Sequence, residues 1–194
     1  MKHVGIFSGS FNPVHIGHLA LANWLCEYGN LSEVWFLVTP QNPLKEGRRM
    51  LDFQARCEMV EAAVAGYPRF RASDFELNLP QPSYTIRTLR ALKQTYPECL
   101  FLLIVGADNW ENMEQWKDAA LLIEEFPVLI YPRPGYDRPA PPAPTNVRRV
   151  DAPMLEISSS FIRDAIRQGR DIRFFLPEAV REKAVSCFMN LSST

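Results

Sequence analysis

Apolar runs closed by turn residues alternate with segments of helical periodicity along most of the chain. The run "LFLLIVG" (100–106) is apolar at nearly every position, which is typical of a strand buried on both faces of a parallel sheet. Other short apolar runs bounded by Gly, Pro, Ser or Thr are also predicted strands. The predicted strands are 3–7, 33–38, a short one within 70–75, 100–106, 128–131 and 147–150.

Helical spacing of apolar residues marks the segments between and after these runs. Asp52 is a suitable N-cap for one helix, and Gly66 and Gly169 are suitable helix ends. The predicted helices are one from Gly17 onward, one within 51–66, one within 83–97, a helical region over 112–126, one from Ser158 or Ser160 to Gln168 and one beginning near Pro177. Alternating strands and helices predict an α/β fold, a Rossmann-like doubly wound parallel sheet with helices on both faces. A small C-terminal helical part covers 158–194.

Length and composition fit one domain over residues 1–194, because 194 residues with 47% hydrophobic and 22% charged positions can form one sizeable core. The proline-rich segment 132–144 is predicted to be an exposed loop, since proline disfavours both regular helix and central strand. We see no match between this segment and a known functional motif.

Charge and cysteine usage exclude several classes of protein. The net charge of −1 gives no support for a nucleic-acid-binding or membrane-surface protein, and no apolar stretch reaches the roughly 20 residues that span a bilayer. The four cysteines are scattered, with no C-x-x-C pair, which is typical of reduced core residues. We therefore expect a cytoplasmic protein. The oligomeric state is open, and a homo-oligomer is compatible with the sequence.

Ligands of doubly wound sheets bind beyond the carboxyl ends of the strands, so the first loop, "SGSFNPVHIGH", is a candidate site. Gly9 and Gly17 leave space for a bulky ligand, and the loop leads into a helix N-terminus, which favours phosphate. His15 and His18 share one face of the first helical turn. The pattern is neither G-x-G-x-x-G nor a P-loop. Two surface histidines or a metal pair remain alternatives, although no third metal ligand is spaced nearby.

Three later segments are also candidates. "EISSSFIRDAIRQG" places three serines at a helix N-terminus with Arg163 one turn further, which favours an anion such as phosphate. In "VGADNW", Gly106 and Asp108 follow a strand, where the aspartate is suited to accept hydrogen bonds from ribose hydroxyls. The basic loop "TPQNPLKEGRR" is either a solvated loop or a cationic arm over a polyphosphate.

Together these segments resemble the H-x-G-H nucleotidyltransferases, the superfamily of adenylyltransferases and cytidylyltransferases. Residues 15–18 read His-Ile-Gly-His, and "ISSSFIR" is similar to the second signature of that group, I-S-S-T-x-I-R. Ser160 stands in place of the usual threonine and keeps the hydroxyl. Two signatures at opposite ends of the chain make the resemblance specific.

Within the superfamily the chain is most similar to the bacterial nicotinate-mononucleotide adenylyltransferases, over nearly its whole length. "PSYTIRTL" (82–89), "GADNW" followed by Trp116, and "PQNPLK" resemble stretches of that family. Two positions depart from it: Leu44 replaces a common histidine, and Asn12 stands where many members have aspartate.

The resemblance implies a reaction and a set of roles. The protein would join nicotinate mononucleotide to ATP, giving deamido-NAD and pyrophosphate in NAD biosynthesis. The implied catalytic residues are His15, His18 and Arg163. The implied ATP-binding residues are Gly9, Ser10, Phe11, His15, His18, Gly106, Asp108, Ser158, Ser159 and Arg163. The implied substrate-binding residues are Asn42, Lys45, Thr85, Trp116 and Arg133.

The resemblance implies that Mg²⁺ travels with ATP, since no compact carboxylate cluster is visible in the sequence to hold it. Two alternatives stay open. One is another H-x-G-H adenylyltransferase with a nicotinamide mononucleotide, phosphopantetheine or flavin acceptor. The other is a non-catalytic nucleotide-binding regulator on the same fold.

Overall fold

A computed structural model describes residues 1–40, 50–140 and 146–190. In these parts of the chain the strands form one six-stranded sheet in which every neighbouring pair is parallel, in the order β3-β2-β1-β4-β5-β6. The strands are β1 (Lys2–Gly9), β2 (Glu33–Val38), β3 (Phe70–Ser73), β4 (Cys99–Gly106), β5 (Val128–Tyr131) and β6 (Val147–Arg149). All six predicted strands are present, and the prediction for β2 matches its bounds.

The described residues also form seven α-helices and two short 3₁₀ helices. The α-helices are α1 (Ile16–Glu27), α2 (Phe53–Val64), α3 (Thr85–Thr95), α4 (Ala107–Glu111), α5 (Ala119–Glu125), α6 (Ser159–Arg167) and α7 (Glu178–Asn190). The 3₁₀ helices are Phe75–Asn78 and Met113–Gln115.

The predicted helical region over 112–126 is helical but not continuous, since it holds the 3₁₀ helix Met113–Gln115 and then α5. A helix already begins at Ala107, directly after β4, with Gly106 as its extended N-cap. It ends at Glu111, and α5 begins only after Asp118, whose φ of 55° lies in the left-handed region. A left-handed residue cannot continue a right-handed helix, so the periodic pattern is divided between separate short helices.

Apolar side chains cover both faces of the sheet, which confirms the doubly wound architecture. One core cluster joins the sheet to α1, α2, α6 and α7, with Phe36, Leu25 and Phe188 fully buried. The other packs α3, α4 and α5 against the opposite face, around Phe101 and Leu89. The C-terminal helices therefore belong to the first cluster.

The central strands β1 and β4 are neighbours, with Lys2 opposite Cys99 and Ile6 opposite Leu103. Chain connections leave this pair toward opposite faces of the sheet, so a crevice opens beyond the carboxyl ends of the two strands. This crevice is where the first loop and the "VGADNW" segment meet. Within the described residues, no helix is both long and apolar enough to cross a membrane.

Candidate functional site

A cleft of about 530 Å³ lies beyond the carboxyl ends of β1, β4 and β5. It contains most of the site residues that the sequence predicts. The predicted residues that line it are Gly9, Ser10, Phe11, His15, His18, Asp108, Arg133, Ser158, Ser159 and Arg163. The fold thus brings the loop after β1, the segments after β4 and β5, and the start of α6 together around this cleft.

The two histidines are stacked at the N-terminus of α1. Their ring centroids are 3.7 Å apart with an interplanar angle of 29°. His18 Nδ1 accepts a hydrogen bond from the backbone N–H of His15 at 3.2 Å, so the neutral imidazole carries its proton on Nε2. The loop backbone therefore fixes which nitrogen of His18 can donate to a ligand.

His15 is the buried member of the pair, with 4% of its surface exposed. Burial, and next the positive charge of Arg133, lower the pKa of His15 to about 3. Its Nδ1 has no hydrogen-bond partner among the described residues. Gly17 packs directly on this ring, since a Cβ there would lie 3.1 Å from Nδ1. His15 is therefore neutral near pH 7, so its side chain is able to offer a hydrogen bond to a ligand but not a positive charge.

The second signature contacts the first loop directly. Ser159 Oγ donates to the carbonyl oxygen of Pro13 at 2.9 Å, and Arg163 Nη1 donates to the carbonyl oxygen of Asn12 at 2.8 Å. Ser158 caps α6, its Oγ accepting from the N–H of Phe161 at 3.1 Å. The N-terminus of α6 is thereby held against the histidine loop, where its N–H groups favour an anion.

Asp108 and Arg133 form the opposite wall of the cleft. Arg133 Nε lies 3.8 Å from Asp108 Oδ1, and Arg133 Nη2 donates to Tyr131 Oη at 3.2 Å. Gly106 does not line the cleft but lies under Asp108: a Cβ at Gly106 would be 2.3 Å from Asp108 Oδ1. Gly106 thus leaves room for this carboxylate, and its predicted role in ATP binding stays a prediction.

Thr85 and Trp116 do not line this cleft. Thr85 is the first residue of α3, and Trp116 packs partly buried against the second core cluster. The indole Nε1 of Trp116 is buried with no partner among the described residues. Asn42 and Lys45 lie outside the described residues, as does Leu44. The substrate roles of these residues stay predictions.

The proline-rich segment contributes Pro134 and Tyr136 to the site besides the predicted Arg133, and the sequence predictions omitted these two residues. Residues 133–136 form a tight turn in which the N–H of Tyr136 donates to the carbonyl of Arg133 at 3.3 Å, with Pro134 second and Gly135 third at φ 79°. Pro134 and Tyr136 line the cleft beside Arg133. The sequence "RPG" is itself a turn signal, so the turn could have been predicted from Pro134 and Gly135.

Tyr131 and Asn12 are further cleft residues that the sequence predictions omitted. Tyr131 was omitted because its sequence context is that of a buried strand. It is buried at the end of β5, and this burial raises the pKa of its hydroxyl. Asn12 Oδ1 accepts from the N–H of Leu51 at 3.2 Å. Aspartate offers the same acceptor oxygen, so this contact accounts for either residue at position 12.

A metal pair built on His15 and His18 gains no support from the structure. Over residues 1–40, 50–140 and 146–190, no group of three or more His, Cys, Asp and Glu side chains is arranged to hold a metal ion. The two rings instead stack on each other, and His18 Nδ1 already accepts a backbone N–H.

A Rossmann-like sheet with an H-x-G-H loop facing a serine-capped helix and its arginine defines a nucleotidyltransferase-type fold and site. The chain belongs to the cytidylyltransferase-like family, whose match covers residues 6–165. The family resemblance drawn from the two signatures is confirmed.

Curated relatives narrow the similarity within this family. A protein of Bacteroides fragilis named probable nicotinate-nucleotide adenylyltransferase is 53% identical over 93% of this chain and 90% of its own length. A Porphyromonas gingivalis protein of the same name is 48% identical over 89% of this chain and 88% of its own.

Solved structures agree at the level of the fold. The chain resembles Plasmodium falciparum nicotinic acid mononucleotide adenylyltransferase, whose structure was determined in complex with NaAD. The TM-score is 0.79 at 17% identity, with 100% of this chain and 98% of that chain covered.

Proposed function

We propose that this protein is a nicotinate-nucleotide adenylyltransferase, which joins nicotinate mononucleotide to ATP and releases pyrophosphate in NAD biosynthesis. The observation that carries the proposal is the convergence of both signatures on one cleft, joined by the contacts of Ser159 and Arg163 with the histidine loop. The names of the close relatives support the choice of acceptor.

The reaction needs positioning and charge stabilisation rather than a covalent intermediate. A phosphate oxygen of the mononucleotide attacks the α-phosphorus of ATP in line, the bond to the bridging oxygen breaks, and pyrophosphate leaves. His18 Nε2–H and neutral His15 donate hydrogen bonds to the phosphate oxygens as charge develops. Both rings are held before ATP arrives, because they stack and the loop backbone fixes His18.

The remaining charge is bound by the α6 side of the cleft. Arg163, Ser159 and the N–H groups at the start of α6 surround the place for the β- and γ-phosphates. Asp108 is placed to accept from the ribose hydroxyls of adenosine, and the backbone of Gly9 to Phe11 forms the wall beside it. Mg²⁺ enters with ATP as part of the substrate.

The acceptor is proposed to bind between Thr85, Trp116 and Arg133, with Asn42 and Lys45 from the basic loop near its phosphate. Trp116 would stack on the pyridine ring, and Thr85 with nearby backbone would meet the carboxylate. We further propose that the chain acts as a single domain in the cytoplasm, with neither nucleic acid nor membrane as partner.

The test compares acceptors at equal concentration with MgATP: nicotinate mononucleotide, nicotinamide mononucleotide, phosphopantetheine and flavin mononucleotide. We expect deamido-NAD to form fastest, with stoichiometric pyrophosphate. Faster transfer to another acceptor would assign the protein to a different H-x-G-H transferase. ATP binding without transfer to any acceptor would support the regulator instead.

A further inference from the structure

Arg56, in the first turn of α2, is 1% exposed although it carries a charge. Its guanidinium donates four hydrogen bonds to described backbone carbonyls. Nε bonds Leu51 at 3.1 Å, Nη1 bonds Ser10 at 2.7 Å and Thr39 at 2.9 Å, and Nη2 bonds Pro40 at 3.1 Å. One side chain thus joins the loop after β1, the end of β2 and the approach to α2.

The partners of this arginine are unusual for a buried charge. None of its hydrogen-bond partners among the described residues is a carboxylate, so the buried guanidinium is stabilised by four carbonyl dipoles, together with the Phe53 ring 5.6 Å from Cζ and the charge of Asp52. The planar fork of arginine reaches several carbonyls at once, whereas the point charge of lysine cannot. A simple packing requirement would be met by an apolar side chain of similar volume.

The Ser10 contact connects Arg56 to the nucleotide cleft. Ser10 lines the cleft between Gly9 and Phe11, whereas Arg56 does not reach it. A parallel contact runs from the N–H of Leu51 to Asn12 Oδ1, and the carbonyl of Asn12 accepts from Arg163. The loop that carries the nucleotide-binding backbone is therefore fixed from the α2 side and from the α6 side.

We propose that Arg56 is a positioning residue for ATP, which acts through the carbonyl of Ser10 to hold the Gly9–Asn12 backbone in its binding shape. The inference rests on the proposed function only for the identity of the nucleotide. It predicts that loss of the guanidinium fork weakens nucleotide binding beyond its effect on stability.

Arg69 provides a control at the opposite end of strand β2, because its partners Leu31 and Ser32 precede β2, whereas Arg56 bonds Thr39 and Pro40 after it. It also donates to backbone carbonyls: Nε to Ser32 at 3.0 Å, and Nη2 to Cys26 at 2.5 Å and to Leu31. These carbonyls belong to the connection between α1 and β2, away from the cleft. Arg69 differs from Arg56 in also pairing with Glu27 Oε1 at 3.0 Å, and Arg69→Lys tests the loss of carbonyl contacts without touching the nucleotide loop.

The experiment measures the Kd of a non-hydrolysable ATP analogue and the thermal midpoint for Arg56→Lys, Arg56→Met and Arg69→Lys. We expect both Arg56 variants to weaken analogue binding at least about tenfold, the scale of one charged hydrogen bond, and Arg69→Lys to bind like wild type. In turnover assays with saturating mononucleotide, KM for ATP should rise more than kcat falls. Arg56→Met replaces the buried charge by an apolar side chain of similar volume. This variant therefore still allows the binding measurement if Arg56→Lys does not fold.

Wild-type affinity in a folded Arg56 variant whose midpoint has fallen would show a merely structural role and overturn the proposal. Equal weakening in Arg69→Lys would overturn it as well. The binding measurement needs no acceptor, so it stays decisive if wild-type protein forms no deamido-NAD, a result that would refute the proposed function alone.

Discussion

The nucleotide half and the acceptor half of the molecule are built differently. In the nucleotide half, His15, His18 and the start of α6 interlock through backbone contacts and line one cleft. In the proposed acceptor half, Thr85 begins α3 and Trp116 packs against the second core cluster, and no hydrogen bond joins the two within the part of the chain that the structure describes. Under the proposed function, preorganised contacts are thus concentrated where the triphosphate of ATP would bind.

In each half, burial shifts the pKa of a titratable side chain toward the neutral form. Burial lowers the pKa of His15 to about 3 in the nucleotide half and raises the pKa of Glu76 to about 7 in the acceptor half. Glu76 Oε1 accepts from Thr88 Oγ1 at 2.9 Å, while Oε2 is buried with no partner among the described residues. The same physical cause therefore acts in opposite directions on a base and an acid.

The largest effect is expected in the nucleotide half. His18→Ala should keep the fold but lower kcat by more than about 100-fold, because one preorganised donor to the developing charge is lost. Steady-state assays with both substrates saturating give the measurement. His3→Ala removes an exposed histidine at the start of β1 and serves as the control. Unchanged turnover in His18→Ala would refute the role of His18.

The next largest effect is on stability in the acceptor half. Glu76 keeps its proton in the folded state up to about pH 7, whereas an exposed glutamate loses it near 4.5. The folded state thus binds more protons across this window, and stability falls as pH rises through it, by at most about 3 kcal/mol. Glu76→Gln should remove this slope.

Urea unfolding at pH 5 and pH 7.5 checks the Glu76 prediction. The difference between wild type and Glu76→Gln isolates the contribution of Glu76, because His15 adds a slope of opposite sign between about 3 and 6.5 to both proteins. Glu182→Gln, at an exposed position of α7, is the matched control. If the free energy of unfolding depends on pH in the same way in wild type and in Glu76→Gln, burial does not raise the pKa of Glu76 as stated.

Gly106→Ala should affect the binding of ATP but not that of the mononucleotide. The new methyl group would lie 2.3 Å from Asp108 Oδ1 and 3.1 Å from Tyr131 Oη, so the carboxylate must shift. We expect KM for ATP to rise about tenfold, the scale of one charged hydrogen bond, with KM for the mononucleotide little changed. Gly66→Ala is the control, because a Cβ there meets nothing within 4 Å. An unchanged KM for ATP would remove Asp108 from the ribose site.

The smallest effect is expected from Trp116→Phe, which keeps an aromatic face but reduces its area. KM for the mononucleotide should rise about threefold while KM for ATP stays constant, since stacking on the pyridine ring is weakened but not lost. Trp24→Phe on the other core cluster controls for the general cost of removing an indole. A rise in the KM for ATP alone would contradict the proposal that Trp116 stacks on the mononucleotide.

The sequence predicts the strands and the nucleotide half well because their signals are local. Apolar runs mark each strand, and both signatures carry their own helix N-terminus. The role of Arg56 was not predicted, because its partners are distant backbone carbonyls at positions 10, 39, 40 and 51. Every residue has a backbone carbonyl, so the residue types at these positions do not indicate the contacts. The break at Asp118 was missed because the apolar spacing around it continues to look helical.

The contacts of Ser159 and Arg163 with the first loop span 146 and 151 residues of sequence. During synthesis the histidine loop leaves the ribosome long before its partners exist. The triphosphate site is therefore completed only when the last part of the chain has been made and folded. A nascent or truncated chain that ends before Ser158 carries the histidines without the arginine that complements them. If the proposed site is correct, binding of the triphosphate therefore requires a chain that has been made at least as far as α6.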